Sequence, residues 1–114
     1  MQYLLIITNG PDHPAPGGPG WDDLMKGYFQ FSTELGEAKG HYTGAPLAPP
    51  STATTVRLKD GERVLTDGPF AETKEWLSGY FQAEFDDLDD ALAWAARIPS
   101  AAFGAVEVRP VMEM

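Results

Sequence analysis

The sequence predicts an α+β fold, and three observations support this prediction. Residues 3–8 form an apolar run of strand length, too short for a helix. From Trp21 the apolar residues recur at helical spacing, and residues 80–85 then alternate strictly between apolar and polar. A second helical pattern begins at Asp87 and ends before Pro99. Helices and strands therefore mix along one chain.

The first helix is predicted from Trp21 to Lys39, with Gly40 as the residue just past its end. Its apolar positions predict the buried face: Trp21, Leu24, Met25, Tyr28, Phe31, Leu35 and Ala38. The second helix has a shorter apolar stripe: Leu88, Ala91, Leu92, Ala95 and Ile98. Both stripes are expected to pack on the sheet.

Four further strand segments complete the pattern. Residues 41–44 predict a short strand, and residues 106–109 predict the last one. Residues 53–58 and 63–66 flank Asp60-Gly61, a strong hairpin signal. Without this hairpin the order is strand, helix, strand, strand, helix, strand, which is the ferredoxin-like order.

A four-stranded sheet with both helices on one face leaves its other face open. The outward positions of the last strands are mostly polar: Tyr80, Gln82, Glu84, Glu107 and Arg109. A second copy of the chain can cover the apolar parts of this face, and two such sheets enclose a cavity. We therefore expect a homodimeric α/β barrel, with the hairpin and the loop after it as an insertion.

Composition limits the classes of function. The 114 residues suit a single domain, 1–114, and carry a formal charge of −9, which disfavours direct contact with nucleic acid. The chain has no cysteine and no apolar run of membrane-spanning length. We expect a cytoplasmic protein without a metal or a cofactor, because motifs for phosphate, dinucleotide and metal binding are missing.

The most conspicuous stretch is residues 66–80, a polar loop between two predicted strands. Asp67 precedes the turn residues Gly68-Pro69, and Glu72 and Lys74 follow within seven residues. Each has two interpretations. Asp67 is either a general base or a turn-capping residue, while Glu72 and Lys74 form either an acid/base pair or a solvated loop face. These three residues are the candidate catalytic groups.

Neither histidine is a strong candidate. His13 lies in a loop rich in glycine and proline, residues 9–20, and is interpreted as exposed and inert. His41 opens a short strand, where a structural role is expected. The four acids Asp86, Asp87, Asp89 and Asp90 do not match a calcium loop and are interpreted as helix-capping residues.

The stretch Thr66-Asp67-Gly68-Pro69-Phe70-Ala71-Glu72-Thr73-Lys74-Glu75, followed by Gly79-Tyr80, resembles the signature of the DGPF proteins, a bacterial branch of the YCII-related family. The similarity extends over residues 53–57, 93–99 and 106–110. It implies a ferredoxin-like unit that pairs into a dimeric barrel. Other YCII-related proteins are thought to use a His-Asp pair with the histidine on the first helix, whereas this first helix has no histidine. Trp76 is a second departure, because the DGPF signature usually has a polar residue at this position.

The resemblance leaves three functions open. The first is a pocket for an unidentified small molecule, lined by Arg57, Phe70, Trp76 and Tyr80, with Asp67, Glu72 and Lys74 as acid/base groups of a cofactor-free enzyme. The second is a non-catalytic partner of an extracytoplasmic-function sigma factor, because genes of DGPF proteins often neighbour genes of such factors. The third is a stable dimer in which the loop is only structural.

Overall fold

The protein is described by a computed structural model over residues 1–70 and 73–114. Two helices and six strands follow one another in the predicted order: β1 Gln2–Asn9, α1 Trp21–Lys39, β2 Tyr42–Pro46, β3 Thr54–Lys59, β4 Glu62–Asp67, β5 Trp76–Glu84, α2 Leu88–Ala95 and β6 Gly104–Pro110. Short 3₁₀ helices lie at Pro50–Thr52 and Pro99–Phe103. The α+β prediction is confirmed, and every predicted element is present.

Four strands form the main sheet in the order β2-β5-β1-β6, with every neighbouring pair antiparallel. This order is compatible with the predicted ferredoxin-like fold. One irregularity interrupts the pairing of β1 with β5 between Ile7 and Thr8. The extra residue of β5 at this point is Ser78, and it lies at the end of the sheet where the candidate site is found.

The core lies between the helices and one face of the sheet. Alternate residues of β1 and β5 face the helices, including Leu5 and Phe81. Phe31 and Leu35 of α1 and Ala91 of α2 pack against them. Both helices therefore cover the same face. The opposite face is only half-buried at Leu4 and Ile6, as expected for an open sheet.

Four residues predicted to be buried are exposed: Met25, Ala38, Leu88 and Leu92. The prediction was wrong there because each helix touches the sheet along a narrower strip than its apolar residues cover. Met25 lies about 100° around the helix from the buried Leu24. Ala38 lies in the last turn of α1, and Leu88 and Leu92 flank the buried strip of α2.

The hairpin β3–β4 forms a separate two-stranded sheet. Asp60 (φ 52°) and Gly61 (φ 81°) both have positive φ, as a type I′ turn requires, so the Asp-Gly prediction is confirmed. The radius of gyration is 15.9 Å, whereas a compact chain of this length has about 13 Å. The hairpin thus projects from the body of the domain.

Two contacts fix the second helix. The Asp87 carboxylate caps α2 by accepting a hydrogen bond from the Asp90 amide at 2.8 Å, as predicted. The Asp90 carboxylate in turn accepts from Lys39 Nζ at 2.5 Å and from the Asp86 amide at 2.9 Å. These contacts hold the pKa of Asp90 below its ordinary value of 3.8, the lysine making the larger contribution.

Candidate functional site

A cavity of about 690 Å³ lies on the helix side of the sheet, at the end where β1 finishes. Its walls are the first two turns of α1, the start of β5, and β2 with the segment that follows it to Pro50. The loop of residues 10–20 closes another side through His13 and its neighbouring prolines. Residues of a single chain therefore form this cavity.

The cavity walls are apolar and rich in aromatic rings. The aromatic residues that line it are Trp21, Tyr28, Tyr42, Trp76, Tyr80 and Phe81. No Asp, Glu, Lys or Arg is among the described residues that line it. A buried ion without a counter-charge is strongly disfavoured. This site therefore suits an uncharged ligand.

Two glycines allow the backbones of β2 and β5 to approach closely beside the cavity. A Cβ at Gly44 would lie 2.6 Å from the Tyr80 carbonyl oxygen, and one at Gly79 would lie 2.9 Å from that of Ala45. Neither position can hold a larger residue without moving the neighbouring strand. Both glycines line the cavity.

A chain of hydrogen bonds joins three side chains that line the cavity. The Tyr28 hydroxyl donates to Ser100 Oγ at 2.6 Å, and Ser100 Oγ lies 2.7 Å from His13 Nε2. The other ring nitrogen, His13 Nδ1, lies 2.9 Å from the Pro14 carbonyl oxygen. Ser100 is 1% exposed, and burial raises the pKa of Tyr28 above 10.0. These hydrogen bonds link α1, the 10–20 loop and the 3₁₀ helix after α2.

A second polar pair lies at the irregularity of β5. Ser78 Oγ is 2.9 Å from Asn9 Oδ1 and 3.2 Å from the Ile7 carbonyl oxygen. A hydroxyl has one hydrogen to donate, so it serves one of these acceptors at a time. Asn9 and Ser78 also line the cavity and give it a second polar spot.

Of the residues predicted to form the site, Trp76 and Tyr80 line the cavity. Asp67, Lys74 and Phe70 are exposed and are not among the described lining residues. Arg57 is also exposed, and its guanidinium lies over the Phe70 ring, 5.3 Å from the ring centre. The prediction for Glu72 falls outside the described residues.

The turn after Asp67 is held by backbone contacts. The Gly68 amide donates to the Ala53 carbonyl at 2.7 Å, and Thr55 Oγ1 donates to the Gly68 carbonyl at 2.8 Å. Among residues 1–70 and 73–114 no hydrogen bond reaches the Asp67 carboxylate. Gly68 has φ 98°, a conformation that favours glycine.

The interpretation of His13 as exposed and inert was wrong, because this residue is half-buried and hydrogen-bonded through both ring nitrogens. Its partner Ser100 is 87 positions away in the chain, so no local motif reveals the pair. Tyr28 offered a weak signal, because a buried tyrosine hydroxyl needs a partner. His41 is exposed and does not line the cavity.

The chain belongs to the YCII-related family, because the model of the YCII-related domain matches residues 1–114. It is also 44% identical over 114 residues to an uncharacterized protein of Rhizobium meliloti (strain 1021), a match that covers 97% of this chain and 92% of that protein. The predicted family is therefore confirmed.

In the described part of the chain, no helix is long and apolar enough to cross a membrane. The same residues contain no group of three or more His, Cys, Asp or Glu side chains arranged to hold a metal ion. A cytoplasmic location remains a prediction from the sequence.

Proposed function

We propose that this protein binds an uncharged, largely apolar small molecule in the cavity beside α1. The observation that carries the proposal is the absence of charged side chains from the described lining residues, in a chain with 17 acidic and 8 basic residues. Binding an ion there would remove its hydration, and the described lining residues include no Asp, Glu, Lys or Arg that could supply a permanent counter-charge. An aromatic or aliphatic ligand with one or two polar groups fits the walls.

The volume supports a ligand of metabolite size. Pockets for small molecules commonly occupy about 300–1,000 Å³, and this cavity has about 690 Å³. Its polar groups are concentrated at two places, the Tyr28–Ser100–His13 chain and the Asn9–Ser78 pair. Such an arrangement orients a ligand through few contacts while the aromatic walls supply most of the affinity.

The binding test is a thermal-shift screen of uncharged aromatic compounds, each paired with its carboxylate analogue. A ligand that binds only the folded state raises the melting temperature. We expect uncharged compounds to do so. Met25→Trp should weaken the effect, because the larger side chain narrows the cavity. Phe29→Trp, on the exposed side of the same helix, should retain it. Stabilisation by the carboxylates alone would contradict the proposal.

We also propose that the protein is a homodimer. The support is the uncovered face of the main sheet, where Leu4 and Ile6 are half-buried although no helix packs over them. Stable interfaces bury about 800 Å² per partner, which a four-stranded sheet and a projecting hairpin can supply together. Sedimentation at several protein concentrations tests this. A monomer at all of them would contradict it.

Acid/base catalysis by Asp67, Glu72 and Lys74 is a separate proposal, supported by the polar motif and not by the cavity. If Asp67 acts on a bound ligand, Asp67→Asn changes the affinity for compounds found in the screen and leaves the melting temperature of the free protein unchanged. An unchanged affinity would leave the loop without a role in binding.

The second candidate function is a protein–protein one, with an extracytoplasmic-function sigma factor as the partner. The apolar face of the hairpin, with Val56, Leu58 and Leu65 exposed, favours it. A pull-down with the purified factor discriminates between the functions. Capture that survives Met25→Trp and is lost in Leu58→Asp would favour the hairpin as the functional surface.

A further inference from the structure

We propose that Tyr28, Ser100 and His13 form a proton relay that takes the hydroxyl proton of a phenol or an enol held in the cavity. The inference rests on the proposed function, since it needs a ligand beside Tyr28. It adds the chemical class of that ligand and the reaction class, a proton transfer without a cofactor. Tyr28 contacts the ligand, whereas Ser100 and His13 act through it.

The direction of the hydrogen-bond chain follows from its last member. The Pro14 carbonyl can only accept, so His13 Nδ1 carries the hydrogen of that 2.9 Å contact. In the neutral imidazole Nε2 is then an acceptor, and Ser100 must donate to it. The Ser100 oxygen is left to accept from Tyr28. Every hydrogen in the chain therefore points away from Tyr28 and toward His13.

This direction determines what the ligand must offer. Tyr28 already donates its hydroxyl hydrogen to Ser100. Toward a group in the cavity, Tyr28 can therefore act only as a hydrogen-bond acceptor. The raised pKa of Tyr28 keeps its hydroxyl protonated near neutral pH, so the chain is intact there. A ligand hydroxyl is the matching donor, and aromatic walls suit a phenol or a conjugated enol.

The transfer is balanced. The ligand O–H bond breaks and its proton binds the Tyr28 oxygen, the Tyr28 proton moves to Ser100 Oγ, and the Ser100 proton forms a new N–H bond at His13 Nε2. The products are a ligand anion and an imidazolium. The three hydrogen bonds that carry the protons persist with reversed direction, so Tyr28 now donates to the anion. The Nδ1–H bond to the Pro14 carbonyl is unchanged. Return of the proton to a carbon of an enolate would complete a tautomerisation.

The same contacts also fasten the 10–20 loop to α1, so loss of stability alone cannot test the relay. His13→Gln separates the two roles. The amide oxygen of glutamine can accept from Ser100 as Nε2 does, yet an amide does not take up a proton. His41→Gln is the matched control, because His41 is exposed and is not among the described residues that line the cavity.

The probes are 4-nitrophenol, whose anion absorbs at longer wavelength than the neutral form, and its methyl ether 4-nitroanisole, which has no hydroxyl proton. The experiment measures binding of both by calorimetry and the ionised fraction of bound nitrophenol by absorbance, at a pH where the free probe is mainly neutral. We expect wild type and His41→Gln to ionise it, and His13→Gln and Ser100→Ala to reduce the ratio of bound anion to bound neutral probe by about tenfold or more.

The outcomes separate the two proposals. If nitrophenol binds but stays neutral, or if His13→Gln ionises it as wild type does, the relay is overturned while the binding function stands. If neither probe binds, both the relay and the apolar binding site are overturned. Ionisation that depends on His13 and Ser100, with nitroanisole bound equally by all variants, supports the relay.

Discussion

The cavity side of the molecule and the β3–β4 hairpin differ in how the chain uses its polar and apolar residues. On the cavity side polar groups are buried and paired, as in the contact of Tyr28 with the 1% exposed Ser100. On the hairpin the apolar residues Val56, Leu58 and Leu65 are exposed. The buried polar groups of the cavity side have hydrogen-bond partners within the same chain, whereas the hairpin exposes an apolar surface that a partner can cover.

The conspicuous motif and the cavity lie in different parts of the molecule. Residues 66–75 are rich in turn and charged residues, yet Asp67, at the end of the hairpin opposite the Asp60-Gly61 turn, is exposed and is not among the described lining residues. The cavity is built from prolines, glycines and aromatic residues that are spread along the chain. A site enclosed by one chain is organised by the fold, and its residues need not be neighbours in sequence.

The largest expected difference between the regions is in the free energy of unfolding. Leu35 lies in the core at 0% exposure. Leu35→Ala should lower the free energy of unfolding by about 2–5 kcal/mol, because apolar burial is lost and a cavity is left behind. Leu58→Ala, at 78% exposure, should lose about 0.5 kcal/mol or less through contacts within its own chain. Urea unfolding extrapolated to low protein concentration measures both, and equal losses there would contradict the comparison.

The next effect concerns association. Leu58→Asp should weaken the proposed homodimer at least about tenfold, because an unpaired charge would enter an apolar interface. Phe29→Asp is the control, since Phe29 is also 78% exposed but lies on the outer side of α1. Sedimentation equilibrium gives both dissociation constants. Equal weakening by the two variants would mean that the hairpin is not a specific interface.

Two aspartates give a smaller contrast, Asp87 at the start of a predicted helix and Asp67 at the entry of a predicted turn. Asp87→Ala should lower the free energy of unfolding by about 1 kcal/mol, because its carboxylate caps α2. Asp67→Ala should change it by about 0.5 kcal/mol or less, as expected for an exposed residue. Denaturant unfolding of both variants measures the difference. A larger loss at Asp67 would indicate that the loop is a capped, structural element.

The smallest effect is a dependence on pH. A carboxyl whose pKa is lower in the folded than in the unfolded chain stabilises the fold above its unfolded pKa, and this contribution is lost as the pH falls through the folded value. Asp90 is such a group. Asp90→Asn should therefore be less stable than wild type at pH 7, and the difference should shrink below about pH 3.8. Asp89→Asn, exposed in the same turn, is the control for removing one carboxylate from this helix start.

Local patterns predicted the fold well because its elements are fixed by neighbouring residues. Phe81, Ala83 and Phe85 alternate into the core, and Asp60-Gly61 forms the expected turn. The candidate site was less predictable. Met25 and Trp21 have the helical spacing of core residues, but they form a cavity wall because the 10–20 loop and β2 stand away from α1 there. Spacing shows which face is apolar and not what covers it.

The hydrogen bonds that join Tyr28, Ser100 and His13 could not be predicted from the sequence, for a different reason. His13 lies in a loop with no periodic pattern, and Ser100 follows the proline that ends the second helical pattern. Their contact depends on how residues 10–20 fold back over the end of the sheet, which no local propensity specifies. Trp76 and Tyr80 were identified because they belong to the conspicuous stretch of residues 66–80, whose last part forms the start of β5 beside the cavity.

We propose that the ligand site is the cavity and not the Asp67 loop. Amide chemical shifts recorded during titration with 4-nitroanisole test it directly, because they report on both regions at once. We expect shifts at Tyr28, Ala45 and Gly79 beside the cavity, and none at Asp67, Gly68 and Phe70. Saturable shifts confined to the Asp67 loop, with the cavity amides unmoved, would contradict the claim.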